Sequence, residues 1–497
     1  MLNKQIMKLK KVKLIIFGLI GFSLLVVLSF NLSLKLINNT SEFSQKVKYF
    51  FPQSFRDLLR ETIYKSNYLE IENAKLNQKF NKIFENDVSF KKKKISKIDH
   101  TEIKSRENRR YLLTKFSYPY YEHFSWGKKP PGYVVGYKNY IITMSGSGEI
   151  IFFEKKDIDQ DNLSFNFLNT NFYTFIDIDK YYKKKLHGIR DISVVNDELF
   201  VSYVDNNSCD KLSILRGKIN FNYIKFEKFF SFPGCKTDFT GQDGEGLDSN
   251  QKETFIGQRS GGRIIKYNDE NILFSIGDYS LTLHPPEAQN LESYFGSLVK
   301  INLNSSKVKI LAKGLRNPQG LMYDNEKNFI LLTDHGPNGG DELNSFNLNK
   351  KKFENFGWPT SSYGEHYSST IKRSKENNTT ELLLKGAPLK KSHSEFGFKE
   401  PVRYWTPSIG ISEVVQVPRF LNNEFVNDFF VSSMGGVVAE GDMTLHHIRL
   451  SKDYNEVLFE DRIVINERIR DIYFDEELNK FVLLLGSSPS IAFLKLK

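Results

Sequence analysis

The first clear pattern along the chain is a continuous apolar run close to its N-terminus. The segment Leu14–Leu34 contains no ionisable side chain. At about 1.5 Å of rise per residue, a helix of this length crosses the hydrocarbon core of a membrane. A cleaved signal peptide is the alternative, but its apolar region is usually shorter and is followed by small residues, which are missing here. We therefore predict one transmembrane anchor at residues 14–35.

The polar segments on either side of the anchor predict its orientation and a stalk. Five lysines precede the run, so the positive-inside rule leaves residues 1–13 as a basic cytoplasmic tail and places the rest in the periplasm or outside the cell. Residues 36–125 are expected to form a helical stalk and linker, because Gln53–Glu85 lacks Gly and Pro and repeats apolar residues at three- and four-residue steps. The stalk either lifts the following domain from the bilayer or forms a short coiled coil that makes a dimer.

Beyond the stalk, the periodicity changes to short apolar runs that are broken in pairs by turn residues. Each pair predicts a hairpin of two strands. The six pairs are Tyr133–Met144, Asp191–Val204, Arg263–Asp278, Gly320–Gly336, Ser412–Ser433 and Asp471–Gly486. They begin at intervals of about 57 to 92 residues, which is typical of a radial repeat. The pattern predicts an all-β, six-bladed β-propeller at 126–497, with a polar insertion at 361–399 in a surface loop.

Charge and cysteine content narrow the function only slightly. The formal net charge is +11, but no nucleic-acid-binding module accompanies it, so we do not expect a nucleic-acid partner. The two cysteines, Cys209 and Cys235, both follow the anchor, where a disulfide can persist. Two buried thiols are the alternative, because sequence separation does not show whether the pair can approach within bonding distance.

The densest group of polar motifs occurs between the fourth hairpin and the insertion. It reads Arg-Asn-Pro-Gln-Gly at 316–320, His-Gly-Pro-Asn-Gly-Gly-Asp-Glu at 335–342 and Gly-Trp-Pro at 357–359. In these elements the chain resembles the glucose/sorbosone dehydrogenase family, the soluble aldose sugar dehydrogenases that depend on pyrroloquinoline quinone (PQQ). The resemblance extends with decreasing strength over 188–496. It implies a six-bladed propeller that oxidises a sugar hydroxyl by passing hydride to PQQ, with a calcium ion polarising the quinone.

The resemblance also implies roles for individual residues. Planar guanidinium groups suit the three carboxylates of PQQ, and amide side chains suit its other polar atoms. The implied cofactor-binding residues are Arg316, Asn317, Gln319, Arg468 and Arg470. Arg316 and Asn317 would meet the quinone end, and the main-chain carbonyls of Gly336 and Pro337 would bind the calcium ion. Asp334 and His335 would support them or merely cap a strand. The alternative is structural: the arginines would pair with Asp341, Glu342 or Asp471 to fasten the blades.

Three family positions are changed in this chain. The family has its catalytic base, a histidine, at the position of Arg259, and arginine cannot accept a proton near neutral pH. A family lysine falls at Gly435, and a family glutamine falls near Leu186. His187 is a candidate substitute base, whereas His366, His446 and His447 show no convergent partner in the sequence. The implied catalytic group is therefore Arg259, Arg316 and His187.

Two functions remain open from the sequence. The first is a membrane-anchored periplasmic oxidoreductase that oxidises a sugar or related alcohol with PQQ and calcium. The second is a non-catalytic propeller that has lost its base and binds an anionic glycan or a protein partner. Convergence of Arg259, Arg316, Arg468 and Arg470 on one cavity, next to exposed Gly336 and Pro337 carbonyls, would favour the first. Burial of these groups in ion pairs would favour the second.

Overall fold

A computed structural model describes residues 93–118, 132–183, 188–207, 211–232, 259–279, 286–350, 353–488 and 490–497. The predicted anchor, residues 36–92 of the predicted stalk, both cysteines, Leu186 and His187 lie outside these ranges. Within them, no helix is both long enough and apolar enough to cross a membrane. The anchor, the dimer and the disulfide therefore stay predictions.

The described chain is built mainly of short antiparallel strands. The first half contains β1 Lys93–Lys104, β2 Arg110–Ser117, β3 Tyr133–Tyr137, β4 Tyr140–Met144, β5 Ile150–Glu154, β6 Asn162–Thr170, β7 Ile189–Val195, β8 Glu198–Asp205, β9 Lys211–Lys218, β10 Tyr223–Ile224, β11 Glu227–Ser231, β12 Gly261–Asn268, β13 Asn271–Ile276 and β14 Ser297–Asn302. The second half contains β15 Val308–Lys313, β16 Pro318–Asp324, β17 Phe329–Asp334, β18 Asp341–Asn347, β19 Glu354–Asn355, β20 Arg403–Trp405, β21 Ile411–Gln416, β22 Asp428–Ser433, β23 Thr444–Leu450, β24 Val457–Val464, β25 Ile469–Asp475, β26 Lys480–Leu485 and β27 Ser490–Leu496. The three α-helices in the described ranges are α1 Ile178–Lys183, α2 Ser368–Glu376 and α3 Thr380–Gly386.

The strands form consecutive antiparallel sheets that follow the chain. Four sheets have the orders β7-β8-β9-β11, β12-β13-β14-β15-β19, β16-β17-β18-β20 and β21-β22-β23-β24. The largest sheet joins two further units, β3-β4-β5-β6 and β25-β26-β27-β2, through β1. The first strands of successive units contact one another, and β25 contacts β3, which closes the order. This is a propeller-like arrangement.

All six predicted hairpins are present as antiparallel strand pairs. They are β3–β4, β7–β8, β12–β13, β16–β17, β21–β22 and β25–β26. Their alternating apolar residues are buried between neighbouring sheets, as Phe200 on β8 shows by packing in one core with Phe274 on β13. This burial stabilises the packing of neighbouring sheets, because a single sheet cannot remove its own apolar faces from water.

The N-terminal boundary of the sheet domain differs from the predicted one. Residues 93–117, expected as part of the linker, form β1 and β2. Strand β2 pairs with β27 along its length, from Tyr111↔Leu496 to Ser117↔Ser490, and β1 continues to β6. Leu113 of β2 is only 2% exposed and belongs to the core of β25–β27. The alternating apolar residues of β2 gain this partner only through the tertiary fold, so the local pattern missed them.

The insertion at 361–399 also differs from the expected surface loop. It contains α2 and α3, and its side chains Thr370 and Leu383 are 2% and 1% exposed. Its start is tied to the loop after β17 by reciprocal amide hydrogen bonds between Asn338 and Glu365, at 3.0 and 2.9 Å. The insertion is therefore packed onto the domain beside the motif residues.

Candidate active site

The innermost strands carry a buried ionic network around one arginine. Arg263 on β12 donates to Asp191 on β7 and Asp471 on β25 through Nη1, at 2.9 and 2.8 Å, and its Nε lies 3.0 Å from Glu413 on β21. Each residue is the third of its strand, so the strand ends bring them to one place. Burial raises the pKa of Asp191 and of Glu413; Arg263 opposes this rise and Asp471 adds to it. Arg263, rather than the motif arginines, fastens the units together.

Arg316 is held rigidly at the start of β16. The buried carboxylate of Asp334 accepts the amide of Arg316 at 2.8 Å and the amide of Asn317 at 2.6 Å. Burial and the neighbouring Glu342 raise the pKa of Asp334 to about 8, against the effect of the two amides. The guanidinium of Arg316 lies 5.3 Å from the ring centre of Trp358. Asp334 thus supports the backbone of the motif just before β16.

The predicted calcium ligands already have donors. Nη1 of Arg316 donates to the carbonyls of His335 and Gly336 at 2.6 and 2.7 Å, and the Ser408 hydroxyl donates to the carbonyl of Pro337 at 3.1 Å. A calcium ion on the Gly336 carbonyl would lie within a few ångströms of a guanidinium cation, where like charges repel. The donor set therefore does not fit the cation, and in the described ranges no cluster of metal-ligating side chains is found. Calcium remains an implication of the resemblance alone.

Three of the predicted cofactor residues form one hydrogen-bonded chain. The Gln319 amide donates to Asn317 Oδ1 at 2.7 Å, and Arg470 donates to Gln319 Oε1 at 3.1 Å and to the hydroxyl of Tyr133. Asn317 Oδ1 also accepts the amide of Gly261 at 3.3 Å. The chain joins β3, β12, β16 and β25 where their first residues meet, so the structure brings Asn317, Gln319 and Arg470 together.

The backbone of Arg468 makes two hydrogen bonds at the start of β25. Its amide donates to the Ser487 hydroxyl at 3.0 Å, and its carbonyl accepts the amide of Gly486 at 2.6 Å. These bonds tie the start of β25 to the end of the last hairpin. The side chain is half-buried, and its predicted role in binding a cofactor stays a prediction.

Arg259 is buried immediately before β12. Its Nη1 lies 3.8 Å from the Asp278 carboxylate, which also accepts the indole N–H of Trp358 at 2.7 Å. Burial and the Arg316 guanidinium lower the pKa of Arg259. Its φ of +52° places it in the left-handed region, and its carbonyl accepts the amide of Tyr279 at 3.2 Å. Arg259 and Arg316 therefore both lie beside Trp358, as two cations in one buried region.

A small cavity connects Arg259 with the insertion. Its volume is about 10 Å³, and it is lined by Arg259, Pro337, Trp358, His366, Tyr367, Thr370 and Leu383. A second cavity of about 10 Å³ is lined by Arg316, Trp358, Glu342 and His393, among others. Each has room for about one water molecule. His366, which had no visible partner in the sequence, is thus next to Arg259.

The two ends of the insertion meet at a buried side-chain triplet, here named the clasp. Ser361 Oγ lies 2.8 Å from His393 Nδ1, and His393 Nε2 lies 3.1 Å from Glu342 Oε1. Burial opposes charge on His393, but the hydrogen bond and charge of Glu342 outweigh it and raise the pKa of His393. Ser361 is 0% and His393 1% exposed, so the clasp holds the insertion and has no open path to a substrate. Sequence spacing gave no signal for it, because the members come from distant segments.

The remaining positions that the sequence singled out, His446, His447 and Gly435, have local partners of their own. His446 is bonded to the Gly441 carbonyl at 2.9 Å, and His447 to Asp428 at 2.9 Å, within the β22–β23 sheet. A Cβ at Gly435 would come within 2.1 Å of the Asp442 carboxylate. The space where the family has a lysine therefore holds a carboxylate here.

The sheet arrangement and the motif cluster define a class, the propeller-like sugar dehydrogenases. Residues 236–489 match the family Glucose / Sorbosone dehydrogenase. The chain belongs to this family, whose members are oxidoreductases.

Two curated proteins show how far the similarity extends. The chain is 26% identical over 250 residues to the aldose sugar dehydrogenase YliI of Escherichia coli (strain K12), covering 47% of this chain and 59% of that protein. It is 29% identical over 250 residues to the uncharacterised protein slr1608 of Synechocystis sp., covering 46% of this chain and 53% of that protein. The chain thus spans less than two thirds of either relative.

A solved structure shows the same fold. The soluble aldose sugar dehydrogenase of Escherichia coli, in its apo form, superimposes with a TM-score of 0.54 at 18% identity, over 78% of this chain and all of that one. A structure titled glucose dehydrogenase gives a TM-score of 0.53 at 18% identity, over 76% of this chain and 99% of that one. The all-β propeller-like fold is therefore shared.

The described residues fit an anionic cofactor better than they fit calcium. The Nε atoms of Arg316 and Arg470 are buried without a hydrogen-bond acceptor in the described part of the chain. A buried donor without an acceptor costs about 1–3 kcal/mol, which an incoming carboxylate would recover. Arg470, Gln319 and Asn317 would hold such a group. Neither cavity beside Trp358 is large enough for a tricyclic quinone, so neither cavity holds the cofactor itself.

Proposed function

We propose that this chain is a PQQ-dependent dehydrogenase that oxidises a sugar or a related alcohol. The observation that carries the proposal is the convergence of Asn317, Gln319 and Arg470, all from family motifs, beside buried arginine donors without acceptors. Family membership supplies the reaction class. We do not include calcium, because the Gly336 and Pro337 carbonyls already accept protein donors.

The residues of this chain would divide the work between binding and positioning. Arg470 would pair with a cofactor carboxylate, and Gln319 and Asn317 would bond its carbonyl or ring atoms. Asp334 fixes the backbone of Arg316 and Asn317, so their positions do not depend on the cofactor. Bound PQQ would supply the acceptor for the hydride. Because the site is preorganised, little ordering would accompany binding.

The test reconstitutes the full-length chain with PQQ, with and without calcium, and follows dye reduction with a panel of aldoses. We expect PQQ to be retained and at least one aldose to reduce the dye. Arg470→Gln should weaken PQQ binding at least tenfold, because it removes a charge-assisted pair. Arg216→Gln is the matched control, since Arg216 on β9 pairs with Glu227 on the edge strand β11, and it should bind like the wild type. Unchanged binding by Arg470→Gln would contradict the assignment.

A second candidate is a non-catalytic propeller that binds an anionic glycan or a protein partner. One observation favours it: Arg259, which the resemblance places at the family's base, is buried and paired with Asp278. This candidate predicts glycan binding without PQQ retention or dye reduction by any form of the chain. The reconstitution therefore separates the two functions directly.

We also propose the architecture and location that would serve this function. Six consecutive units, five of four strands and one of five, support a six-bladed propeller closed by β2, because their first strands contact one another in a closed order. The apolar run at 14–35 supports an anchor that holds the propeller in the periplasm or outside the cell. Membrane fractionation of the full chain, with protease access from the outer side, tests the anchor; cross-linking tests dimerisation through the stalk.

A further inference from the structure

Arg259, at the position that the resemblance assigns to the base, cannot accept the hydroxyl proton of a substrate. His366 is the titratable imidazole that lines the same cavity of about 10 Å³. It belongs to the insertion, just before α2, and is half-buried. The cavity has room for about one water molecule, which is enough to pass a proton between a hydroxyl and an imidazole.

The position of His366 is imposed by close backbone packing. The paired amides of Asn338 and Glu365 hold the residue before His366 against the loop after β17. Gly364 lies so close that a Cβ there would come within 2.8 Å of the Pro337 ring. The clasp then anchors both ends of the insertion. His366 is therefore placed next to Pro337 and Arg259 by the fold rather than by a flexible tip.

The hydrogen bonding of His366 determines its tautomer. Its Nε2 lies 2.7 Å from the carbonyl oxygen of Ala387, which can only accept. Nε2 must therefore carry a proton, and the neutral ring has its lone pair on Nδ1. A base held by a carbonyl at its other nitrogen has a fixed ring orientation, as a positioned proton acceptor requires.

Burial and the neighbouring arginines disfavour the protonated form of His366. Burial lowers the pKa of His366, the bond to Ala387 opposes this effect, and Arg259 and Arg316 lower the pKa further. On the insertion, the neighbouring Glu365 is exposed and its carboxylate is 3.7 Å from Lys391, so it adds little negative charge. A ring that is neutral at pH 7 is ready to accept a proton.

We propose that His366 replaces the missing base, accepting the substrate's hydroxyl proton on Nδ1 through the water that this cavity can hold. This inference rests on the proposed function. As the substrate's O–H bond breaks, His366 would take its proton. A bound quinone would supply the acceptor for the hydride of the broken C–H bond, so that the product is a carbonyl compound. Arg259 would stabilise the oxyanion that forms as the proton leaves.

The first test compares variants of the full-length chain reconstituted with PQQ. His366→Gln keeps a donor for Ala387 but removes the base, and should lower kcat by about 10²- to 10⁴-fold with PQQ binding unchanged. The double variant Arg259→His, His366→Gln returns a histidine to the family position, and should recover at least tenfold of the loss. His100→Gln changes an exposed histidine on β1 and should behave like the wild type.

The second test reads the imidazole directly, without the cofactor. An NMR titration of the histidine ring carbons should give His366 a pKa below the ordinary value, and Arg259→Gln should raise it, because a neighbouring cation is removed. In the loaded enzyme, kcat/KM should rise with pH through that same pKa, and His366→Gln should lose this limb.

The outcomes separate the inference from the proposed function. Suppose that the wild type reduces the dye. If the kcat of His366→Gln is then within threefold of the wild-type value, or its pH profile is unaltered, the role of His366 is overturned and the proposed function stands. No PQQ retention and no dye reduction by any form would overturn the function and the role together. If the pKa of His366 has the ordinary value and does not change in Arg259→Gln, the proposed arrangement is overturned even in an active enzyme.

Discussion

Replacing Arg263 by Met tests whether the buried ionic network holds the sheets together. Arg263 donates to the carboxylates of Asp191 and Asp471 at 2.9 and 2.8 Å and to the Gln319 carbonyl at 2.5 Å. Glu413 lies 3.0 Å from its Nε, and Arg263 is only 5% exposed. Three charge-assisted bonds at roughly 1.5–3 kcal/mol each would cost about 4.5–9 kcal/mol. Protonation of the carboxyls that lose their partner offsets part of this cost. We therefore expect the free energy of unfolding to fall by about 3–5 kcal/mol at pH 8, the usual result of removing one partner from a buried pair.

The loss of stability in Arg263→Met should grow as the pH rises. Because the pKa values of Asp191 and Glu413 are raised by folding, the native state binds more protons than the unfolded state over the window from about pH 4 to pH 8. Stability from this source is present at acidic pH and is lost as the pH rises through the raised pKa values. Without the Arg263 cation these pKa values rise further, so Arg263→Met should be closest to the wild type at pH 5.5 and furthest from it at pH 8.5.

Urea unfolding at several pH values, followed by tryptophan fluorescence, measures both effects. Arg216→Met is the matched control, because its pair with Glu227 is partly exposed and should be worth at most about 1 kcal/mol. A loss below 1 kcal/mol for Arg263→Met, or a difference that grows toward acidic pH, would refute the reasoning.

The remaining predictions concern the clasp and the closing strand. His393→Gln should destabilise the chain by about 1–3 kcal/mol, because its buried partners lose a hydrogen bond. Because folding raises the pKa of His393, the stability that its charge contributes is present below about pH 6.5 and is lost as the pH rises through the pKa of the folded state. An equal loss at pH 5.5 and pH 8.5 in thermal unfolding would contradict this role of the clasp. Leu113→Ala on β2 should cost about 2–5 kcal/mol in urea unfolding, whereas Leu458→Ala, at a site 59% exposed, should cost far less; similar losses would argue against closure by β2.

Local sequence determined the repeating part of this protein. The alternation of apolar and polar residues in each hairpin has the period of a strand, and the turn residues between runs allow a reversal, so the pairs could be predicted without tertiary information. Motif order also predicted that Arg316, Asn317 and Gln319 act together in binding a cofactor. These residues are close in sequence, and one strand start positions them all.

Tertiary structure decided what the motif residues do. The sequence offered Asp341, Glu342 or Asp471 as partners for the motif arginines, yet Arg263 takes Asp471, and Arg316 caps backbone carbonyls. The partner of a guanidinium is set by which strand ends meet, and this depends on the closure of all the sheets. The same reason hid the pairing of β2 with β27, whose residues lie at opposite ends of the chain.

The insertion shows the same division between sequence and structure. Its polar composition correctly indicated a break in the strand repeat, but composition cannot show that α2 and α3 pack back onto the site or that Ser361 and His393 meet. His366 became a candidate base only when backbone packing brought it next to Arg259. The sequence by itself determined the repeat and the family motifs, because both depend on neighbouring residues; the site depended on contacts between distant segments, which only the folded chain makes.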